Sequence, residues 1–155
     1  MNLDIEQIAG ACHCGGVKFH VRLTNGLHTA RRCNCSYCRM RGAVAVSANV
    51  GDLRIVEGEA LLRLYQFGTR TAKHYFCSVC GIYTHHQRRS VPTEFGVNVA
   101  CLEGLSPFDF AEVAVLNGAH HPKDDGTMGA TAGVLRFEPA PGYLAAAKRD
   151  TKHDG

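Results

Sequence analysis

Eight cysteines fall into three tight groups and one isolated position: Cys12-His13-Cys14, then Cys33-Asn34-Cys35-Ser36-Tyr37-Cys38, then Cys77-Ser78-Val79-Cys80, with Cys101 alone. Cysteines two or three residues apart rarely meet disulfide geometry without strain. A knuckle of backbone, by contrast, aims two such sulfurs at one zinc ion about 2.3 Å away. Residues 1–11 carry Asp4 and Glu6 and no cationic stretch leading into an apolar run, so no secretory signal is read there. The expected compartment is the reducing cytoplasm, where these side chains stay thiols.

The ligands divide unevenly. Cys12, Cys14, Cys77 and Cys80 supply a full tetrahedral shell, which implies a structural ion joining segments far apart in the chain. Metal binding there is coupled to folding by about 10–16 kcal/mol. Cys33, Cys35 and Cys38 supply only three sulfurs, which leaves two readings. Either the fourth position is open, as a catalytic zinc requires, or Cys101 or a histidine closes it. Cys101 sits in an alternating apolar run with Val97 and Val99, where a buried, inert thiol is its expected role.

The elements that must position these sulfurs are mostly strands. Val17, Phe19, Val21 and Leu23 alternate with Lys18, His20 and Arg22, a period of two, and Asn25-Gly26 marks a turn after them. Further short strands are expected over 28–32, 43–50, 53–56, 62–67, 71–76, 95–102, 113–116 and 134–137, separated by glycine-bearing turns. No sustained helical period exists; a short helical turn is expected after Ser36 and another over 143–148. The stretch 119–133 reads as a long loop. The chain of 155 residues reads as one domain over 1–138, with 139–155 as a mobile C-terminal tail.

Taken together, the blocks Cys12-His13-Cys14-Gly15-Gly16-Val17-Lys18-Phe19, Cys33-Asn34-Cys35-Ser36-Tyr37-Cys38-Arg39 and Phe76-Cys77-Ser78-Val79-Cys80-Gly81 resemble the glutathione-dependent formaldehyde-activating enzyme and centromere protein V family. Similarity continues through Lys73-His74 and Arg89-Ser90 to Cys101-Leu102. The resemblance implies a mostly β fold of several bent, coiled antiparallel sheets stapled by two zinc ions. It assigns Cys12, Cys14, Cys77 and Cys80 to the structural ion and Cys33, Cys35 and Cys38 to the catalytic one. The activity it implies is addition of glutathione to formaldehyde, giving S-hydroxymethylglutathione, by a carbon–sulfur lyase running in the synthetic direction.

That chemistry needs a proton donor for the developing alkoxide. Candidates lie in Tyr83-Thr84-His85-His86-Gln87-Arg88-Arg89; on a strand, His85 and Gln87 share one face and His86 and Arg88 the other. His74 is a candidate partner for a nearby thiolate, His120 and His121 border the long loop, and His13 is expected to face solvent. Glutathione carries two carboxylates, which arginine matches bidentately. Arg39, next to Cys38, is the foremost candidate, followed by Arg41, Arg88 and Arg89.

Charge excludes little. The formal net charge is +3, and two divalent ions held by seven thiolates bring the whole close to neutrality. No apolar stretch approaches the roughly 20 residues of a membrane span. Without tryptophan or a basic stripe interleaved with aromatics, nucleic acid is not an expected partner. The alternative to a lyase acting on a small thiol and an aldehyde is a non-catalytic, zinc-stapled binding module.

Overall fold

The alternation around Phe19 forms the middle of a small sheet. The computed structural model describes residues 1–125 and 131–144. In it, strand β2 (Lys18–Arg22) buries Phe19 and Val21 and exposes Lys18, His20 and Arg22. β1 (Gln7–Ala11) pairs with it antiparallel, and β5 (Leu53–Glu57) flanks its other edge. Gly10 lies opposite Phe19 because nothing larger fits: a Cβ there would come within 2.4 Å of the phenyl ring.

The other strands make one eight-stranded sheet. They are β3 (Arg31–Cys33), β4 (Ala45–Asn49), β6 (Leu62–Tyr65), β7 (Lys73–Cys77), β8 (Tyr83–Gln87), β9 (Glu94–Asn98), β10 (Glu112–Leu116) and β11 (Thr131–Arg136). Their order is β11-β10-β3-β4-β9-β8-β7-β6. Neighbours are antiparallel except β3 and β10, which pair parallel with Leu116 opposite Cys33. That one non-local pairing carries the chain after Leu116 across the middle cysteine group. Among the described residues there are two single-turn helices, α1 (Cys38–Arg41), which starts at the last cysteine of that group, and α2 (Pro122–Asp125).

The main core joins the two sheets. Phe19, Val21 and Leu23 pack with Val46, Ala48, Val97, Val99, Leu102 and Val113, and Cys101 lies among them. A smaller cluster is built around Val17, Cys12 and Cys77, with Leu61 and Leu62 against it. Here the apolar packing and the sulfurs form one unit.

The expected strands over 17–23, 43–50, 53–56, 62–67, 71–76, 113–116 and 134–137 each overlap an observed one, and β11 starts three residues earlier than expected. Elsewhere the structure corrects the reading. The run 28–32 divides into a 3₁₀ turn over Gly26–Thr29 and β3. The run 95–102 ends as a strand at Asn98, whose side chain accepts from the Ala100 N–H at 3.1 Å and starts a 3₁₀ turn. The stretch 119–133 is no continuous loop, since α2 and the start of β11 lie inside it. The helical turn after Ser36 is α1. Residues 145–148 of the second expected turn, and 145–155 of the expected tail, lie outside the described residues. Among the described residues, no helix is long and apolar enough to cross a membrane.

Candidate functional site

Two hairpin-like knuckles bring the outer cysteines together. Cys12 follows β1 and Cys77 ends β7, and each chain then reverses through a glycine in the left-handed region, Gly15 (φ 74°) and Gly81 (φ 74°). The turns close with Gly15 N–H donating to Cys12 O at 3.0 Å and Gly81 N–H to Cys77 O at 2.8 Å. The sulfurs of Cys12, Cys14, Cys77 and Cys80 all lie within 4.8 Å of one another. Cys12–Cys14 and Cys14–Cys77 are 3.6 and 3.8 Å apart. A tetrahedron with zinc–sulfur bonds of about 2.3 Å has edges of about 3.8 Å, so the group fits such an ion.

The surroundings fit thiolates as well. Backbone N–H groups of Val17, Gly16 and Val79 donate to the sulfurs of Cys12, Cys14 and Cys77 at 3.3, 3.4 and 3.4 Å. Burial pushes Cys12 up to about 12 even so. A lone thiolate is therefore costly in this place, and a shared cation is what reverses that cost.

The middle cysteines form a second, shallower group on β3 and α1. Cys33, Cys35 and Cys38 are half-buried, with their sulfurs within 4.8 Å of one another. Cys35 N–H donates to Cys33 Sγ at 3.4 Å, Cys38 N–H to Cys35 Sγ at 3.3 Å, and Arg41 Nη2 to Cys38 Sγ at 3.4 Å. These donors again suit thiolates on a metal. Among the described residues, neither Cys101 nor a histidine joins the group. Cys101 lies instead in the apolar core, 3.5 Å from the Tyr83 carbonyl.

These three sulfurs line a cavity of about 700 Å³. Arg31, Arg32, Arg39, Arg41, Arg88 and Arg89 also line it, against one described carboxylate, Asp124. Four of the arginines are committed to the protein. Arg31 donates to Ser47 Oγ at 2.9 Å, and burial lowers it to about 10. Arg41 bonds Cys38, Arg88 pairs with Glu94 at 2.5 Å, and Arg89 pairs with Asp124. No described acid pairs with Arg32 or Arg39, which stand immediately before Cys33 and immediately after Cys38.

Strand alternation sorts the histidines. His86, like Arg88, faces the cavity. Tyr83 O–H donates to Gly96 O at 3.0 Å, so the 2.6 Å contact between Tyr83 Oη and His86 Nδ1 is donated by the imidazole. Burial, then Arg41 and His74, hold His86 well below its ordinary range. His85 faces the other way, stacked on Tyr75 at 4.7 Å and edge-on to Phe95 at 5.0 Å, and does not line the cavity. His74 lines it, with burial and then Arg41 lowering it to about 4. His121 also lines it.

Some site residues carried no recognised signal in the chain. Asn34 donates to Asn117 Oδ1 at 3.2 Å and accepts from Ala119 N–H at 2.9 Å, clamping residues 117–119 over the sulfurs. Gly118 presses directly on Cys33. Arg31 and Arg32 were readable only as the pair leading into the knuckle.

Comparison with known proteins agrees with this geometry. The family model described as glutathione-dependent formaldehyde-activating enzyme matches residues 7–114. A Halomonas elongata protein, provisionally named a glutathione-dependent formaldehyde-activating enzyme, is 32% identical over 81 residues, covering 47% of this chain and 51% of its own. The chain thus spans about half the length of the curated relative it matches. The crystal structure of a Rhodobacter sphaeroides protein aligns with a TM-score of 0.69 at 62% identity, over 70% of this chain and 99% of that one. The three-block cysteine pattern, the two sulfur clusters and a family match from the first strand into β10 lead to one conclusion: the chain belongs to the glutathione-dependent formaldehyde-activating enzyme family.

Proposed function

We propose that the chain is a zinc-dependent carbon–sulfur lyase, acting as a synthase on a glutathione-type thiol and formaldehyde to form S-hydroxymethylglutathione, or on that adduct in reverse. The observation that carries the proposal is the placing of a three-sulfur cluster on the wall of an arginine-lined cavity of about 700 Å³. Cys12, Cys14, Cys77 and Cys80 hold the structural zinc, and Cys33, Cys35 and Cys38 the second. Zinc on three sulfurs supplies Lewis acidity that makes an incoming thiol a thiolate near neutral pH.

The chain's own side chains bind and orient the substrate. Arg39 and Arg32, the two cavity arginines whose side chains have neither an ion pair nor a hydrogen bond among the described residues, receive the glutathione carboxylates. The glutathione sulfur then faces Cys33, Cys35 and Cys38. In the forward step, the thiol releases its proton to solvent, the sulfur lone pair forms the S–C bond, the C=O π pair becomes an alkoxide, and a proton returned from solvent neutralises it. His86 and His74 are held neutral by burial, so they act as hydrogen-bonding groups of the wall. His85 has no contact with the cavity and no part in this step. A reducing compartment, the cytoplasm, keeps the seven ligand thiols from pairing. The working unit spans 1–138, with 139–155 as an appended tail.

Magnetisation-exchange NMR tests the proposal with glutathione and ¹³C-formaldehyde at equilibrium. The zinc-loaded protein is expected to raise the exchange rate between free aldehyde and adduct above the spontaneous rate, and Cys35→Ser to abolish that rise. An unchanged rate, with two zinc ions bound, would favour the zinc-stapled binding module.

A further inference from the structure

The two sulfur clusters differ in their donors. Among the described residues, the donors from outside the cluster to the sulfurs of Cys12, Cys14 and Cys77 are backbone N–H groups, whereas Cys38 receives a guanidinium from Arg41. We infer that Arg41 is the positioning residue of the three-cysteine site, fixing Cys38 as a ligand and supplying the permanent positive charge that offsets the thiolate shell. The inference rests on the two-metal reading above and assigns a function to a cation that the substrate does not use.

Arg41 is held from three sides. It ends α1 three residues after Cys38, on the same face of the turn. Gly42, with φ 68°, stops the helix and closes the turn through its N–H to Cys38 O at 2.9 Å. The guanidinium then folds back over its own helix. Nη2 donates to Cys38 Sγ at 3.4 Å and Nη1 to His74 Nδ1 at 3.0 Å. Arginine has only donors, so His74 accepts through Nδ1 and carries its proton on Nε2. The face of the guanidinium lies 3.6 Å from the centre of the Tyr83 ring, a cation–π contact. Tyr83 and His74 are themselves buried, 6% and 4% exposed. A group restrained in this way has little freedom to leave the sulfur for a ligand in the cavity.

Electrostatics gives the arrangement a purpose. Three thiolates around a divalent ion leave one net negative charge, and a fourth thiolate from substrate adds another. Arg41 is the cation in hydrogen-bond contact with that shell, and its donor draws electron density from Cys38. Weaker donation by the sulfur leaves the ion a better acceptor for the entering thiol. The neighbouring Arg39 is exposed and has no sulfur contact, so the two arginines divide the tasks of binding substrate and holding the ligand.

Cobalt(II) reconstitution of the full chain under anaerobic, reducing conditions tests this without reference to turnover. Stoichiometry, the sulfur-to-cobalt and d–d bands, and competition with a chromophoric chelator are read for wild type, Arg41→Gln, Arg41→Lys and Arg39→Gln. Arg41→Gln is expected to keep the first site and lose 10–100-fold in affinity at the second, with altered d–d bands. Arg41→Lys is expected to recover most of the affinity, and Arg39→Gln to bind metal as wild type does. The inference is overturned if folded Arg41→Gln retains wild-type second-site affinity and spectrum, or if Lys restores nothing. Should Arg41→Gln not fold, Arg41→Lys decides alone by keeping or losing the second cobalt. Wild type binding only one equivalent would contradict the two-metal reading itself, an outcome distinct from failure of the Arg41 assignment.

Discussion

Gly118 faces Cys33 so closely that a Cβ on residue 118 would lie 2.3 Å from Sγ and 3.1 Å from the Cys35 Cβ. The parallel pairing of β3 with β10 sets this contact, and the Asn34 clamp holds it. Gly118→Ala must therefore displace either the sulfur or the clamped segment. A loss of about 1–3 kcal/mol of stability is expected from overpacking. Second-site metal occupancy is expected to fall while the first site stays full, as elemental analysis and thermal unfolding will show.

The two clusters are expected to fail differently. Cys77 is fully buried in the small core beside Val17, at the junction of β7 with the knuckle. Cys77→Ser is expected to remove the ion that ties residues 12–14 to 77–80 and to leave the chain unfolded or aggregated. Cys35 lies half-buried on the cavity wall, and Cys35→Ser is expected to stay folded with one metal equivalent. Circular dichroism showing equal damage in both variants would contradict the division of roles.

Arg39 is expected to act on substrate binding alone. Losing a charge-assisted contact to a carboxylate removes about 1.5–3 kcal/mol. Arg39→Gln is therefore expected to raise KM for glutathione by roughly tenfold or more, with kcat little changed. A fall in kcat at constant KM would place Arg39 elsewhere in the reaction.

His85 predicts a pH dependence of stability. Burial holds it at about 4, below the ordinary 6.5. The unfolded chain takes up this proton first as pH falls, so the contribution of the neutral ring is complete above about pH 6.5 and is lost on descent towards pH 4. The slope in that window is up to about 1.4 kcal/mol per pH unit. His85→Phe, which keeps a ring between Tyr75 and Phe95, is expected to lose less stability than wild type between pH 7 and pH 4.5 in urea unfolding. Equal losses would contradict the burial argument.

Each cysteine knuckle was legible in the chain because sulfur spacing is a local property, and close pairs need only a tight turn to converge; the grouping of Cys12 and Cys14 with Cys77 and Cys80, sixty-odd residues away, followed from ligand count. Most strands were legible for the same reason, as with Phe19 and Val21 alternating against Lys18 and His20. β1 was not, since Ala9, Gly10 and Ala11 lack branched or aromatic side chains; Gly10 is small because Phe19 fills the space above it. β8 could be read only conditionally, because Tyr83, Thr84 and His85 are all buried and show no polar alternation. The pairing of β3 with β10 joins segments more than eighty residues apart, and no local pattern announces it. Asn34 and Gly118 owe their positions to that pairing, which is why their importance emerged only in three dimensions.

The central claim is that one metal is enclosed by four protein sulfurs while the other has three and accepts a thiol. Cadmium-113 NMR of the cadmium-loaded chain reads this directly, since cadmium shares the preference for thiolates and its shift reports the number of sulfurs bound. Two resonances are predicted: one unmoved by glutathione, and one that shifts on its addition to the region of four-sulfur sites. A single resonance, or two that both ignore added thiol, would contradict the account.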